Sequence, residues 1–234
     1  MADSLDFVLD NLVNLLIGVP AQRPGGLLLS ILLSAGALAV GFVVAVAMGA
    51  AAASPWAAVR WTARAYVIVI RGVPLLLLLL IVHQFAAGGL LGVGGSTFRS
   101  AFLTLVLYAS AYQTDIVLSG LRAVPRTLVE DARLLGASPA RAYLLIRLPY
   151  GLRVMRPALL GQGVTLFKDS SVVVILGVAE LTTTARIVLG SDVANTPFWV
   201  ATYLAVGALY FLTAVTLSWL IERRTTSATG LVAG

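Results

Sequence analysis

"EDARLLGASPARAYLLIRLP", Glu130–Pro149, puts five charges into twenty residues. Its neighbours are of another kind: Leu27–Ala53 runs 27 residues without a charge and Phe198–Ile221 runs 24. About 20 apolar residues cross a bilayer as a helix, so the polar stretch reads as an insert between membrane spans. Of the 234 residues, 59% are hydrophobic and 11% charged, whereas a soluble domain carries about 25% charged residues. The chain therefore reads as an all-α membrane protein.

Working outward from the insert, five spans are expected at 27–53, 65–87, 100–121, 157–180 and 198–221, within a membrane domain over 27–221. Ser54-Pro55-Trp56 ends the first span. The second holds the leucine run Leu75–Leu80 and is kinked by Pro74. A glycine-rich turn over 88–96 follows. Asp115 is the single charge in the third span, and Lys168 and Asp169 interrupt the fourth. Residues 1–26 carry Asp6, Asp10 and Asn14 opposite Leu5, Leu9, Leu12 and Leu16. That pattern suits either an amphipathic interfacial helix or a cap on the protein, and not a secretory signal.

Arginine placement orients the chain, because cytoplasmic loops collect basic residues. The insert over 122–156 has Arg122, Arg126, Arg133, Arg141, Arg147, Arg153 and Arg156, and loop 54–64 has Arg60 and Arg64. Loops 88–99 and 181–197 have only Arg99 and Arg186. The N-terminus is thus expected outside, with the insert and the tail over 222–234 inside. The net charge of +6 follows from this distribution and calls for no nucleic acid.

Within the insert, Pro125 suits the first turn of a helix, and Glu130 and Asp131 favour its positive end. Gly136 is placed to end that helix. Ser138 is placed to cap a second one, with Pro139 at its first position, continuing to Pro149. Helix, tight turn, helix is the expectation, which suits an ordinary cytoplasmic loop or a segment that docks in a partner.

The spacing of Glu130, Ala132, Gly136, Ile146, Leu148 and Pro149 resembles the EAA loop of bacterial ABC-importer permeases, with Glu130-Asp131-Ala132 where Glu-Ala-Ala is usual. "RGVPLLLLL" (71–79), "YASAYQTDIVLSGLRAVP" (108–125) and "RPALLGQGVTLFKDSSVVVILGVAEL" (156–181) resemble segments of the polar-amino-acid permeases in that family, of histidine/glutamine/glutamate type. The likeness runs from about residue 27 to 221. Thr127-Leu128-Val129 and Leu148-Pro149-Tyr150-Gly151 depart from the family pattern. The resemblance implies a type I ABC-importer permease fold in a bacterial inner membrane. It also implies a coupling helix between the third and fourth spans, seated in a cytoplasmic ABC ATPase dimer through Glu130, Ala132, Gly136, Ala137, Ser138, Ile146 and Pro149. Its other implied partners are a second permease, the same or related, and a periplasmic or tethered amino-acid-binding protein.

ATP and Mg would be bound by the ATPase. A P-loop needs Gly-Lys followed by Ser or Thr, and the only lysine here, Lys168, sits in "TLFKDS". No cofactor is expected in this chain. With one histidine and no cysteine, no metal site is expected either.

Charges inside a membrane are costly and mark pathways or structural pairs. Gln162, Lys168, Asp169, Ser170 and Asp115 are the candidate pathway residues. The competing reading of Lys168 and Asp169 is a structural pair with Asp115 or Glu180, or a contact between two permeases. Arg71 is read as a membrane-end anchor ahead of a hinge, and His83 as a packed side chain. A permease for another solute, and a proton-coupled transporter using Asp115, Asp169 or His83, are the alternatives. An intramembrane hydrolase lacks the required nucleophile–base pair.

Overall fold

The structure, a computed structural model, describes residues 2–89 and 95–229. Part of the expected 88–96 turn and the end of the expected tail lie outside them. The described residues are helical, with one isolated bridge between Gly26 and Glu180. In chain order the helices are α1 (Ala2–Asp10), α2 (Leu12–Ile17), α3 (Gly26–Ala52), α4 (Ala57–Gly72), α5 (Leu75–Ala87), α6 (Thr97–Arg122), α7 (Arg126–Leu134), α8 (Pro139–Ala142), α9 (Leu148–Asp169), α10 (Leu181–Gly190) and α11 (Trp199–Thr229).

Four helical runs are long and apolar enough to cross a membrane: Gly26–Ala52, Thr97–Arg122, Pro139–Leu176 and Val193–Ile221. They match four of the five expected spans. The remaining span, 65–87, is not one helix. Val73 and Pro74 are both extended, with ψ of 130° and 137°. A residue before proline is pushed out of the helical region, so α4 stops at Gly72 and α5 starts afresh at Leu75.

The fourth span also departs from the expected 157–180. Its helix begins far earlier and ends at Asp169. A tighter 3₁₀ turn follows over Ser170–Leu176. Pro149 does not stop the preceding helix, as expected, but stands at the second position of α9. It lies inside the continuous helical run Pro139–Leu176, just after the wide π-type turn over Tyr143–Arg147 that accommodates it.

Two compact units share these helices. The first comprises Met1–Leu38, Pro74–Val106 and Gly163–Leu220. Its core gathers Leu15 of α2, Leu181 and Ala185 of α10, and Val206 of α11. The helix α10 was expected to be loop. In the structure its Leu181, Thr183, Thr184, Ala185 and Val188 are buried. At the N-terminus, α1 meets the next segment at 43°. Leu5, Leu9 and Val13 stay exposed while Leu15 is 1% exposed. The segment thus divides between the two readings of it, an open apolar stripe followed by a packed cap.

The second unit comprises Ala39–Val73, Leu107–Gln162 and Ile221–Gly234. Ala45 of α3, Val117 and Leu121 of α6, and Met155 of α9 form its core. The helices α6 and α9 meet at Gly120 and Gly151. A Cβ on Gly120 would lie 2.9 Å from the Gly151 carbonyl oxygen and 2.8 Å from Met155 Cε. Only glycine permits this approach.

Candidate functional site

The insert folds as its turn chemistry dictates. Pro125 is one residue ahead of the first helical position, in extended conformation, and α7 begins at Arg126. At the far end, Ala137 N–H donates to the Ala132 carbonyl at 2.9 Å and Gly136 N–H to the Arg133 carbonyl at 2.9 Å. These paired bonds around a left-handed residue form a Schellman cap. Gly136 takes φ +87° and nothing lies within 4 Å of where its Cβ would be. Ser138 Oγ then accepts from Arg141 N–H at 3.3 Å, with Pro139 opening α8.

These bonds bring most of the predicted coupling residues into one short segment. Ala132 is buried and holds α7 down, while Glu130, Gly136 and Ser138 are exposed and Ala137 is half-buried. Ile146 is half-buried on the π turn, and Pro149 is exposed at the head of α9. The tip carries an apolar pair that the sequence reading passed over: Leu134 is 86% and Leu135 90% exposed. On a segment this polar, two bare leucines form an unburied apolar knob.

In the same unit, the charges inside the spans resolve into one contact. Arg71 Nη1 is paired with Asp115 Oδ2, the single ion pair among the described residues. The Arg71 guanidinium lies over the Tyr112 ring, 4.8 Å from its centroid, well within cation–π range. Arg71 stands at the last turn of α4, so the break at Pro74 presents it sideways to α6. Asp115 and Tyr112, three apart on α6, share a face. Arg71, expected as a membrane-end anchor, thus has a partner 44 residues away on α6.

Two clefts in this unit, about 440 and 380 Å³, share Arg71, Tyr112 and Asp115 as wall residues. Arg64, Val67 and Leu118 line the larger; Ile116, Val154 and Met155 line the smaller. Tyr66 marks the other side of α4: its hydroxyl lies 2.6 Å from Ser110 Oγ and donates to the Leu107 carbonyl at 3.1 Å.

The other predicted pathway residues are dispersed. Gln162 is half-buried on α9 and is not among the residues lining either cleft. Lys168, Asp169 and Ser170 belong to the first unit. Lys168 is exposed and forms no ion pair among the described residues. Asp169 Oδ2 is buried without a hydrogen-bond partner there, and Ser170 is buried, its hydroxyl donating to the Phe167 carbonyl at 2.7 Å. The structural-pair reading of Lys168 is not what the side chains do: Asp115 belongs to Arg71, and Glu180 is otherwise engaged.

Glu180 is fully buried and caps α10. Oε1 accepts from Thr183 N–H at 2.7 Å, and Oε2 from Thr182 N–H at 2.9 Å and Tyr210 O–H at 2.7 Å. Ser30 Oγ accepts from Leu181 N–H at 3.2 Å, and Gly26 N–H donates to the Ala179 carbonyl at 2.9 Å. This network ties the start of α3 and the middle of α11 to the head of α10. An acidic residue before the helix-compatible run "LTTTARIVL" was the sequence signal for it. His83 Nδ1 lies 3.1 Å from Ser100 Oγ, as a packed histidine should.

Residues 41–225 match the family described as the binding-protein-dependent transport system inner membrane component. The chain belongs to that family. Among relatives of this permease, the glutamate/aspartate import permease protein GltK of Escherichia coli is 30% identical over 209 residues, covering 86% of this chain and 92% of that protein. The arginine transport system permease protein ArtQ of Bacillus subtilis is 26% identical, over 79% and 84% of the two chains. A solved amino acid ABC transporter with histidines superposes with a TM-score of 0.75 at 27% identity, over 86% and 91%. The MetNI methionine ABC transporter shares the fold at 20% identity and a TM-score of 0.69, over 88% and 94%. The permease is a membrane-embedded transport subunit of an ATP-driven importer, not an enzyme.

Proposed function

We propose that this permease carries polar amino acids across a bacterial inner membrane, handed over by a periplasmic or tethered binding protein. It works with five spans, counting α4 and α5 as one broken span, and with its N-terminus outside. The energy comes from a cytoplasmic ABC ATPase dimer that binds ATP and Mg and grips the helix-turn-helix over 126–147. A second permease, the same or related, completes the translocation unit. Relatives that import glutamate, aspartate and arginine support the cargo class. The apolar tip at Leu134–Leu135 carries the coupling reading: bare leucines on a charged segment are accounted for when a partner covers them.

The test is Gly136→Arg, assayed in the reconstituted importer. The added side chain meets open space within this chain, so the permease still inserts. It stands where the partner would approach, at a backbone conformation that disfavours any side chain. The expected result is ATP hydrolysis without uptake. Gly136→Ala, with the strain but little bulk, should retain most uptake. Full ATP-driven uptake in Gly136→Arg would refute the coupling role of the turn.

A further inference from the structure

We infer that the Arg71–Asp115 pair, with Tyr112 packed on it, is a receptor for the zwitterionic end of an amino acid, and that Arg64 beside it favours an acidic side chain. The inference rests on the reading of the chain as an amino-acid permease, and it goes further by naming the site and the substrate class. In the single chain the side chains of Arg71 and Asp115 are 40% and 45% exposed, and both line each of two clefts, within reach of a ligand there.

The chemistry matches what an amino acid presents at its α-carbon. A guanidinium takes a carboxylate through two parallel N–H bonds, and a carboxylate takes an ammonium. An entering zwitterion can therefore exchange the Arg71–Asp115 contact for two contacts of the same kind, so the charges are never left bare. Tyr112 holds the guanidinium plane from one face and offers its ring to an ammonium. At about 440 Å³ the larger cleft falls within the range of small-molecule sites.

The rest of that wall bears on the side chain. Val67, Ile68, Ala63 and Leu118 are apolar, and the one further charge is Arg64. It stands seven residues before Arg71, on the same face of α4 and roughly 10 Å along it, a gap that two arginine side chains narrow. Two guanidiniums against one carboxylate leave the cleft net positive, which suits glutamate or aspartate and opposes lysine or arginine.

The experiment measures equilibrium binding of labelled L-glutamate to the full chain in lipid nanodiscs, with competitors. Glutarate, which lacks the α-ammonium, and γ-aminobutyrate, which lacks the α-carboxylate, should each compete roughly tenfold or more weakly than unlabelled L-glutamate, the loss of one charge-assisted contact. L-Arginine should be weaker by a similar factor. Equal competition by all four would overturn the proposal, and this arm needs no variant. Arg71→Lys should weaken glutamate about tenfold, because the charge stays and the fork is lost. Arg64→Gln should erase the preference for glutamate over glutamine, and an unchanged preference would sink the acidic selectivity. ATP-driven glutamate uptake by the assembled importer without binding to this chain would refute the site while leaving the transport function standing.

Discussion

At residue 180 a carboxylate sits at 0% exposure without a basic partner among the described residues. Its oxygens instead accept two backbone N–H groups and a tyrosine hydroxyl. Removing one such acceptor from a buried site costs about 1–3 kcal/mol. Glu180→Gln has a single acceptor oxygen and an amide that must turn toward donors, so it should lower the thermal unfolding temperature of the purified permease. An unchanged melt would mean that these bonds hold nothing together. The Glu180 cap on α10 was open to local reading, but its bond to Tyr210 and the Arg71–Asp115 pair were not. Tyr210 lies 30 residues downstream of Glu180, and Arg71 lies 44 upstream of Asp115. Local spacing says that a buried charge needs a partner but not which distant one it meets. The alternative that paired Lys168 with Asp115 or Glu180 failed for that reason.

Helices in this chain were legible where their ends are written in local chemistry. Gly136, Ser138 and Pro139 fixed the turn of the insert because a left-handed glycine and a capped proline start have few alternatives. Ser138→Ala removes that cap, worth about 1 kcal/mol. Amide exchange over 140–142 should quicken by roughly fivefold, as local opening is made easier by that amount. Exchange at the wild-type rate would show that α8 is held by its packing alone. Prolines were less reliable guides. Pro74 breaks its span outright, where a kink was expected, because Val73 before it is extended as well. Pro149 does not end its run, because the wide π turn just before it relaxes the regular hydrogen-bond ladder that a proline would otherwise break. The 3₁₀ turn after Asp169 carries no such punctuation, and the cap that opens α10 is a glutamate, a less usual capping residue than serine, threonine or aspartate.

At the scale of the molecule, hydropathy marked apolar runs that overlap the long helices, and arginine counting proposes a direction for them. The direction can be tested on a chain that contains no native cysteine. Val193→Cys, at a position 88% exposed, should react with a membrane-impermeant maleimide on intact spheroplasts. Ala140→Cys, on the exposed face of α8, should react only after the membrane is opened. Labelling in the opposite order would invert the topology and remove the insert from the ATPase. In a chain that spans a bilayer, composition exposes the spans more readily than it exposes their breaks, since lipid demands apolar residues on either side of a bend.

The backbone contact between Gly120 and Gly151 gives the insert a closed neck. Thirty residues of chain leave α6, turn, and re-enter as α9 through a point too narrow for a single methyl group. On the proposed coupling role, force applied at the leucine tip meets a closed base, and the two legs are expected to swing together.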